Sequence, residues 1–387
     1  MSDATVSGLN QVLRLSESAE SLRLARPEVA HQLDEGYRAL YVEDQELPAP
    51  VRHALAAIVA RRQGSELLAA HHAAQADPAL IAEELPSDPR LRVLVEHVDL
   101  ITVSPALVER DDQLTLQIAG VTPEEIVLAS QIVAFTSALV RVAYAYALLG
   151  GDRAAPAAPL DRPTVAAGRP HRPAERTARG SEIPTRFTRE VLEWEPWVAA
   201  PAADELTSEQ RDSFAAKATT NSEYFRLLSL VPNVLRARSA LDNAIFLGEH
   251  GLPRGERELA AAVTSKVNDC VYCASVHSRK AEFQTKRADD IDRLLGVTLQ
   301  RDDSWLPEGV ERLAEGQDER WNALIRFTAR LAQLVPQADT ADVERLEEVG
   351  LTREQIADAA LATAFFSWAN RLMLSLGEPA VPGTATR

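Results

Sequence analysis

The chain repeats itself, and this repetition constrains its fold more than any other feature of the sequence. Residues 26–60 align with residues 231–265 at a displacement of 205 positions. Residues 120–141 align with residues 350–371 at a displacement of 230 positions, with many identical residues. Agreement over two such long stretches is not expected by chance, so the chain holds two copies of one structural unit.

The two copies are joined by a stretch that is rich in Pro, Ala, Gly and Arg and has no apolar periodicity. Such a composition cannot bury a core and is typical of an extended linker. We therefore predict a first domain at residues 1–150, a linker at 151–183 and a second domain at 184–387. The two displacements differ by 25, which predicts an insertion of that size in the second copy, within residues 284–317.

Within each copy the apolar residues follow a helical pattern. Leu227, Val231 and Leu235 recur at the spacing of one helix face, and strand-like alternation is scarce throughout. Thr352 follows Gly350 and is a suitable N-cap for a final long helix. Aromatic residues are only 5% of the chain, while Ala, Leu and Glu are abundant. The predicted fold class is all-α for each of the two copies.

Charge and hydropathy limit the partners that we expect. The formal net charge is −16, whereas nucleic acids and anionic membranes require a basic face. The apolar run from Ile126 to Gly150 is long enough to span a bilayer, but it contains Gln131 and Arg141. We therefore predict a buried helix of a protein that binds neither nucleic acid nor membrane.

The N-terminus shows no basic region followed by an apolar stretch, so we predict no signal peptide and a cytoplasmic location. Cysteines are normally kept reduced in that compartment. The two cysteines of the chain, Cys270 and Cys273, lie together in the stretch DCVYCASVH, which ends at His277. A purely structural disulfide is disfavoured there, which leaves a redox-active dithiol, a metal site or two inert buried thiols.

The surroundings of the cysteines favour the dithiol. Asn268 or Asp269 is a suitable N-cap, which predicts a helix carrying Cys270, Cys273 and His277 on one face. The positive end of the helix dipole stabilises a thiolate in the first turn. On the preceding predicted helix, Glu258 is a carboxylate able to orient the histidine.

These residues resemble the signature of the carboxymuconolactone decarboxylase superfamily, in its AhpD-like alkylhydroperoxidase branch. That signature is a Glu, eleven intervening residues, CxxC, three further residues and a His, which Glu258, Cys270, Cys273 and His277 match. The resemblance covers roughly residues 185–387 and reaches the first copy only through the duplication. It implies two tandem AhpD-like helical bundles.

The resemblance also implies a mechanism. Cys273 would attack a hydroperoxide as a thiolate, and Cys270 would resolve the resulting sulfenic acid to a disulfide. Glu258 and His277 would relay the proton that activates Cys273, and an unidentified dithiol would reduce the disulfide. The best-known peroxidases of the family carry His where this chain has Tyr272, which we predict to contact substrate. No cofactor or metal is implied.

The first copy lacks these groups. On the same alignment Glu258 corresponds to His53, and the positions of the two cysteines and the histidine hold Ser65, Leu68 and His72. We predict that the first copy is a structural partner without redox chemistry, which packs against the second in place of a homodimer contact. Because members of the family assemble through their helices, we also expect a homo-oligomer.

The sequence thus predicts a thiol-dependent peroxidase that reduces alkyl and other organic hydroperoxides through a CxxC dithiol/disulfide cycle, with an antioxidant role. Two alternatives stay open. A non-redox enzyme like the decarboxylases of the family would use Glu and His without the thiols, and a stoichiometric redox sensor or scaffold would form the disulfide without turnover.

Overall fold

The computed structural model describes residues 8–152, 162–249 and 251–385. The all-α prediction is confirmed, since the described strands are four short segments among many helices. Residues 153–161 of the predicted linker lie outside the described residues. The helices of the first repeat are α1 (Gly8–Leu13), α2 (Glu17–Leu24), α3 (Pro27–Tyr37), α4 (Ala49–Arg62), α5 (Glu66–Ala73), α6 (Pro89–Val103), α7 (Arg110–Ile118) and α8 (Pro123–Gly150).

The second half of the chain is mostly irregular up to residue 222. Its helices are α9 (Ser208–Asp212), α10 (Glu223–Leu228), α11 (Pro232–Phe246), α12 (Arg254–Val267), α13 (Val271–Thr285), α14 (Ala288–Gly296), α15 (Glu319–Ala332), α16 (Thr340–Glu348) and α17 (Arg353–Leu376). Its strands are β1 (Glu193–Pro196), β2 (Gln300–Arg301), β3 (Pro307–Glu308) and β4 (Gly377–Ala380), with β1 antiparallel to β4 and β2 antiparallel to β3.

Helices at equivalent sequence positions begin at equivalent places. α4 and α12 start 205 residues apart, as do α5 and α13, while α7 and α16 start 230 residues apart, as do α8 and α17. The local signals repeat as well. Thr122 caps α8 and Thr352 caps α17, each in a capping box. Gly120 and Gly350 precede them with φ of +86° and +87°, a conformation that favours glycine.

The two repeats pack on each other through equivalent helices. α8 lies along α17, and α3 lies along α11. Arg141 of α8 donates from Nη2 to the carbonyl oxygen of Ala332, at 3.0 Å, and Arg371 of α17 donates likewise to Thr102, also at 3.0 Å. Since Thr102 and Ala332 occupy equivalent positions, the contact is related by a pseudo-two-fold axis, as in a symmetric dimer.

Trp368 lies at the centre of this contact and is completely buried. Its indole N–H donates to Oε1 of Gln131 in the other repeat, at 2.8 Å. Its ring packs edge-on against Phe135 of the other repeat, with ring centroids 5.0 Å apart. The apolar residues of both repeats form one continuous core.

Helix α8 has the length and mean hydropathy, 1.8, of a membrane-spanning helix. The whole of its apolar window is buried inside the protein, however. α17 of the second repeat and several helices of the first repeat cover the faces of α8. Its apolar composition is therefore that of a central core helix.

The predicted linker is more closely packed than its composition suggests. Residues 162–183 contain no helix and no strand longer than an isolated bridge. They nevertheless dock on both repeats. Thr164 donates to Asp99 at 2.8 Å, and the ring of His171 stacks on Trp305 at 4.1 Å. The apolar periodicity of the sequence cannot reveal this docking, because the segment forms no regular element and its contacts are made with side chains of both repeats.

The extra residues of the second repeat form a longer α13, then α14, the β2–β3 hairpin and a 3₁₀ turn at Val310–Ala314. Trp305, at the tip of the hairpin, donates its indole N–H to Oδ2 of Asp269 at 2.8 Å. The insertion therefore supports the chain immediately before Cys270.

We expect Trp368→Ala to destabilise the whole protein. It removes a buried indole from the shared core and leaves Gln131 without its donor, so the free energy of unfolding should fall by about 3–5 kcal/mol. Urea unfolding followed by circular dichroism measures this change. Phe283→Ala, at an aromatic residue that is 69% exposed, is the control and should change stability by less than about 0.5 kcal/mol. An equally small change for Trp368→Ala would contradict the role of this contact.

Candidate active site

A buried carboxylate–imidazole pair lies between α12 and α13. Oε2 of Glu258 is 2.6 Å from Nδ1 of His277, and Glu258 is completely buried. The pair forms because α12 and α13 pack against each other as consecutive helices. The carboxylate accepts the Nδ1 proton, so the neutral imidazole presents Nε2 as a base. Phe366 packs edge-on against the imidazole, with ring centroids 4.1 Å apart, and shields it from water.

The two cysteines are free thiols, both buried, at the start of α13. The helix begins at Val271, so that Cys270 itself is the N-cap, one residue after Asp269 and two after Asn268, the caps predicted from the sequence. Asp269 turns the chain with φ of +61°, and the amide of Cys270 then donates to the carbonyl oxygen of Ser265 at 2.8 Å. Cys273 lies in the first turn of the helix, one turn before His277.

The electrostatic environment of Cys270 favours its protonated form. Burial raises the pKa of Cys270 well above the usual value, and both its hydrogen bond to Cys273 and the charge of Cys273 raise it further. Cys270 therefore keeps its proton at neutral pH. Burial lowers the pKa of His277, although the hydrogen bond to Glu258 and its charge oppose this effect. Burial also opposes ionisation of Glu258, but its hydrogen bond to His277 and the positive charges of His277, Lys280 and Arg254 together outweigh burial and leave the pKa of Glu258 lowered.

A cleft of about 620 Å³ opens beside the dithiol. Cys270 and Tyr272 line it, together with Trp194, Met373 and residues of the docked linker such as His171. Tyr272 thus borders the cleft, and its contact with substrate stays a prediction. Cys273, His277 and Glu258 do not line the cleft, so Cys270 is the thiol at its wall.

The first repeat keeps the shape of this site but not its chemistry. His53 and His72 replace Glu258 and His277, and their Nδ1 atoms lie 2.9 Å apart in the same place between two helices. Leu68 is completely buried, and Ser65 lines a second cleft of about 890 Å³. Among the described residues, no three His, Cys, Asp or Glu side chains lie close enough together to hold a metal ion.

Comparison with known proteins relates part of the second repeat to a known family. Residues 232–301 match the family model described as "Carboxymuconolactone decarboxylase family". This segment contains α11 to α14 and β2, and therefore the Glu258–His277 pair and both cysteines. This part of the chain is similar to the carboxymuconolactone decarboxylase family. The predicted superfamily is thereby confirmed.

The chain is also similar to a curated member of this family, the alkyl hydroperoxide reductase AhpD of Methylocella silvestris. The two are 30% identical over 106 residues, which are 26% of this chain and 53% of that relative. The chain thus spans about half the length of the curated relative it matches. Its named relatives are peroxidase-related.

Two solved structures are similar as well. One is an AhpD-core, peroxidase-related protein from Ralstonia eutropha JMP134, with 24% identity, a TM-score of 0.39 and coverage of 50% of this chain and 95% of that chain. The other is a peroxidase-related protein from Silicibacter sp. TM1040, with 25% identity, a TM-score of 0.35 and coverage of 45% and 85%.

The family segment and its surroundings contain groups that sequence reasoning missed. Nε of Arg254 lies 3.4 Å from Oε1 of Glu258, the second oxygen of the carboxylate. Arg238 of α11 and Tyr224 of α10 are buried near the dithiol. The spacing of Arg254 and Glu258, four residues apart on one helix, could have shown the first contact. Arg238 could have been noticed because it is a charged residue within the apolar face of the predicted helix that became α11.

The histidines of the first repeat predict a pH-dependent stability. Burial lowers the pKa of His53 to about 4 and that of His97 to about 4, and it lowers the pKa of His72 well below its usual value. Each folded-state pKa lies below the unfolded value, so this stabilisation is complete above about pH 6.5 and is lost as the pH falls. Between pH 7 and pH 5 we expect a loss of about 2 kcal/mol for each such histidine.

The free energy of urea unfolding at pH 7 and at pH 5 measures this loss. In His53→Leu the difference between the two pH values should shrink by about 2 kcal/mol. The exposed His31 offers the matched control, since His31→Leu removes no buried imidazole. Equal pH dependence in wild type and His53→Leu would show that His53 does not carry the effect.

Proposed function

We propose that the protein is a thiol-dependent peroxidase, which reduces organic hydroperoxides with Cys273 as the attacking thiol and Cys270 as the resolving thiol. The observation that carries this proposal is the buried Glu258–His277 pair at 2.6 Å, one helical turn beyond two free, adjacent thiols. The similarity to a protein named alkyl hydroperoxide reductase supports the choice of substrate class.

The chemistry balances without a cofactor. The Cys273 thiolate attacks the terminal oxygen of the hydroperoxide, so that an S–O bond forms, the O–O bond breaks and an alkoxide leaves. The protonated His277 returns the proton that it took from the thiol, and the alkoxide departs as an alcohol. Cys270 then condenses with the sulfenic acid, which gives a disulfide and water. An external dithiol supplies two electrons and becomes a disulfide itself.

Different parts of the site have different roles in this reaction. Glu258 fixes the tautomer of His277, so that Nε2 is the base. Phe366 and the buried position of the pair keep water from competing for the proton. The cleft at Cys270 admits the dithiol, which must attack a sulfur of the disulfide.

The test is a titration of free thiols in the reduced protein, before and after one equivalent of cumene hydroperoxide. We expect both thiols to disappear and one equivalent of alcohol to form. Addition of excess dithiothreitol and peroxide should then give many turnovers. Two thiols that stay unreacted for many minutes would overturn the proposal, and oxidation without turnover would favour a stoichiometric sensor.

A further inference from the structure

A short span of the linker borders the dithiol cleft. Residues 170–174 have the sequence PHRPA, and we call this span the strap. Residues 171–174 line the cleft of about 620 Å³ that reaches Cys270. Residues 172–174 are also exposed to solvent. The strap therefore lies at the rim of the cleft, where a molecule that enters from solvent must pass it.

Both ends of the strap are firmly attached. Before it, the guanidinium of Arg169 makes two hydrogen bonds to the carboxylate of Asp112 on α7, at 2.6 and 3.0 Å. Such paired contacts between Arg and a carboxylate are among the strongest polar contacts in proteins. After the strap, the amide of Ile183 donates to the carbonyl oxygen of Glu175 at 3.0 Å and closes a small hairpin. The first repeat thus holds one end, and a hairpin of the linker holds the other.

The strap itself is attached much less firmly. Within the described part of the chain, its residues make no hydrogen bond and no ion pair. Pro170 and Pro173 have no N–H group to donate. The ring of His171 stacks on Trp305, with centroids 4.1 Å apart and planes inclined by 26°. Since segments with few hydrogen bonds open at a low free energy, release of this ring contact is enough to free the strap.

Trp305 connects the strap to the chain beside the dithiol. Its indole N–H donates to Oδ2 of Asp269 at 2.8 Å, and Asp269 immediately precedes Cys270. His171 and Asp269 line the dithiol cleft and also a second cleft of about 1000 Å³, which Trp305 borders as well. The stacked rings therefore stand between two clefts. Their separation would join these clefts into one wider entrance to Cys270.

The burial of the thiols makes such an opening necessary for large molecules. Cys270 lines the cleft but is only 1% exposed, and Cys273 is 5% exposed. Reduction of a disulfide requires that a thiolate attack one of its sulfur atoms directly. While the strap is closed, only a small or narrow molecule can approach a sulfur that is enclosed to this extent.

We propose that the strap is a size-selecting gate in front of Cys270, which the stack of His171 on Trp305 holds closed and which Arg169 anchors to Asp112 of the first repeat. This inference rests on the proposed function in so far as it takes Cys270 as the sulfur that the external reductant reaches. It gives the linker and the insertion a role at the dithiol, and it gives the first repeat a role that needs no redox chemistry of its own.

The test compares two maleimides that react through the same ring and differ in size, and it needs no peroxide. In Cys273→Ser, Cys270 is the sole cysteine, and its alkylation by N-methylmaleimide and by N-(1-pyrenyl)maleimide is followed by mass spectrometry. Burial raises the pKa of Cys270 and slows both reagents alike, so the ratio of the two rates measures access. Adding His171→Ala should raise the ratio of the pyrenyl rate to the methyl rate by about two- to tenfold, the range that the loss of one aromatic contact allows.

Three further variants separate the gate from a general loosening of the protein. Adding His171→Phe keeps a flat ring against Trp305 and should restore the original ratio. Adding Arg169→Met releases one end of the strap and should raise the ratio. His31→Ala, at an exposed histidine outside the linker, is the matched control and should leave the ratio unchanged.

An unchanged ratio in His171→Ala or in Arg169→Met overturns the inference. An equal rise of both rates overturns it too, because that result indicates a loosened α13 and no selection by size. A raised ratio in a protein that does not react with peroxide would leave the gate standing and refute the peroxidase function. Normal turnover of peroxide with an unchanged ratio would do the reverse.

Discussion

Serine at Cys273 should abolish the reaction with hydroperoxide, whereas serine at Cys270 should leave a single turnover. Cys273→Ser removes the nucleophile, because a serine hydroxyl stays protonated and does not attack an O–O bond. We expect the second-order rate of peroxide reduction to fall by on the order of 10³-fold or more. In Cys270→Ser one equivalent of alcohol should form, and the reaction should then stop at the sulfenic acid of Cys273.

This asymmetry follows from the structure of the pair. Cys270 is the N-cap of α13 and holds its proton, since burial and the neighbouring sulfur raise its pKa. Cys273 lies one turn before the imidazole of His277. The base is therefore on the side of Cys273, whereas Cys270 keeps its proton.

Dimedone labelling followed by mass spectrometry distinguishes the two thiols. The label should appear on Cys273 in the Cys270→Ser protein and should be absent from Cys273→Ser. Ser65→Ala is the control, because Ser65 occupies the position of Cys270 in the first repeat and should not affect the reaction. If Cys270 carries the label in Cys273→Ser, the assigned roles are reversed.

The helices themselves were largely predictable from the sequence, because their start signals are local. Thr352, with Gln355 three residues later, forms the capping box of α17, and Asp318 caps α15 through its own side chain. A helix start found in one repeat then predicts the start of the equivalent helix in the other repeat, because the displacement between the repeats is known. Cys270 shows the limit of such signals, since Asp269 adopts a left-handed conformation and moves the cap by one residue.

The packing of the repeats was only partly predictable. The apolar composition of α8 shows that it must be buried on all sides, but not which helix covers it. The alignment revealed that Arg141 and Arg371 are identical in the two copies. It did not show that each reaches across the contact to a backbone carbonyl, because that requires the pseudo-two-fold arrangement of α8 and α17.

Some residues of the site were likewise predictable from the sequence, and others were not. The cysteines and His277 share one short helix, so their proximity follows from helical spacing. Glu258 comes from the preceding helix, and its distance in sequence from the cysteines is given by the family signature. Arg238 and Tyr224 come from α11 and α10, and their burial follows from tertiary packing, with no fixed spacing from the motif. The docked linker and Trp305 border the site for the same reason.

Glu258→Gln should lower the rate of peroxide reduction far more than the small change in side-chain volume suggests. The carboxylate accepts the Nδ1 proton of His277 at 2.6 Å and thereby leaves Nε2 free to act as a base. A glutamine amide can turn its NH₂ group toward Nδ1, which places the imidazole proton on Nε2. In a comparable acid–His pair, the loss of the correct tautomer costs about 10⁴-fold, so we expect a loss of about 10²–10⁴-fold here.

The pH profile separates this role from a structural one. Burial lowers the pKa of His277 while Glu258 opposes the shift, so removal of the carboxylate should lower that pKa further. The acid limb of the activity profile should therefore move to lower pH in Glu258→Gln, even though the plateau falls. Glu256→Gln is the matched control, a buried carboxylate of the same helix that pairs with Arg320 at 2.6 Å instead. If both variants lose activity equally and keep the wild-type acid limb, the carboxylate of Glu258 supports the fold and does not orient the base.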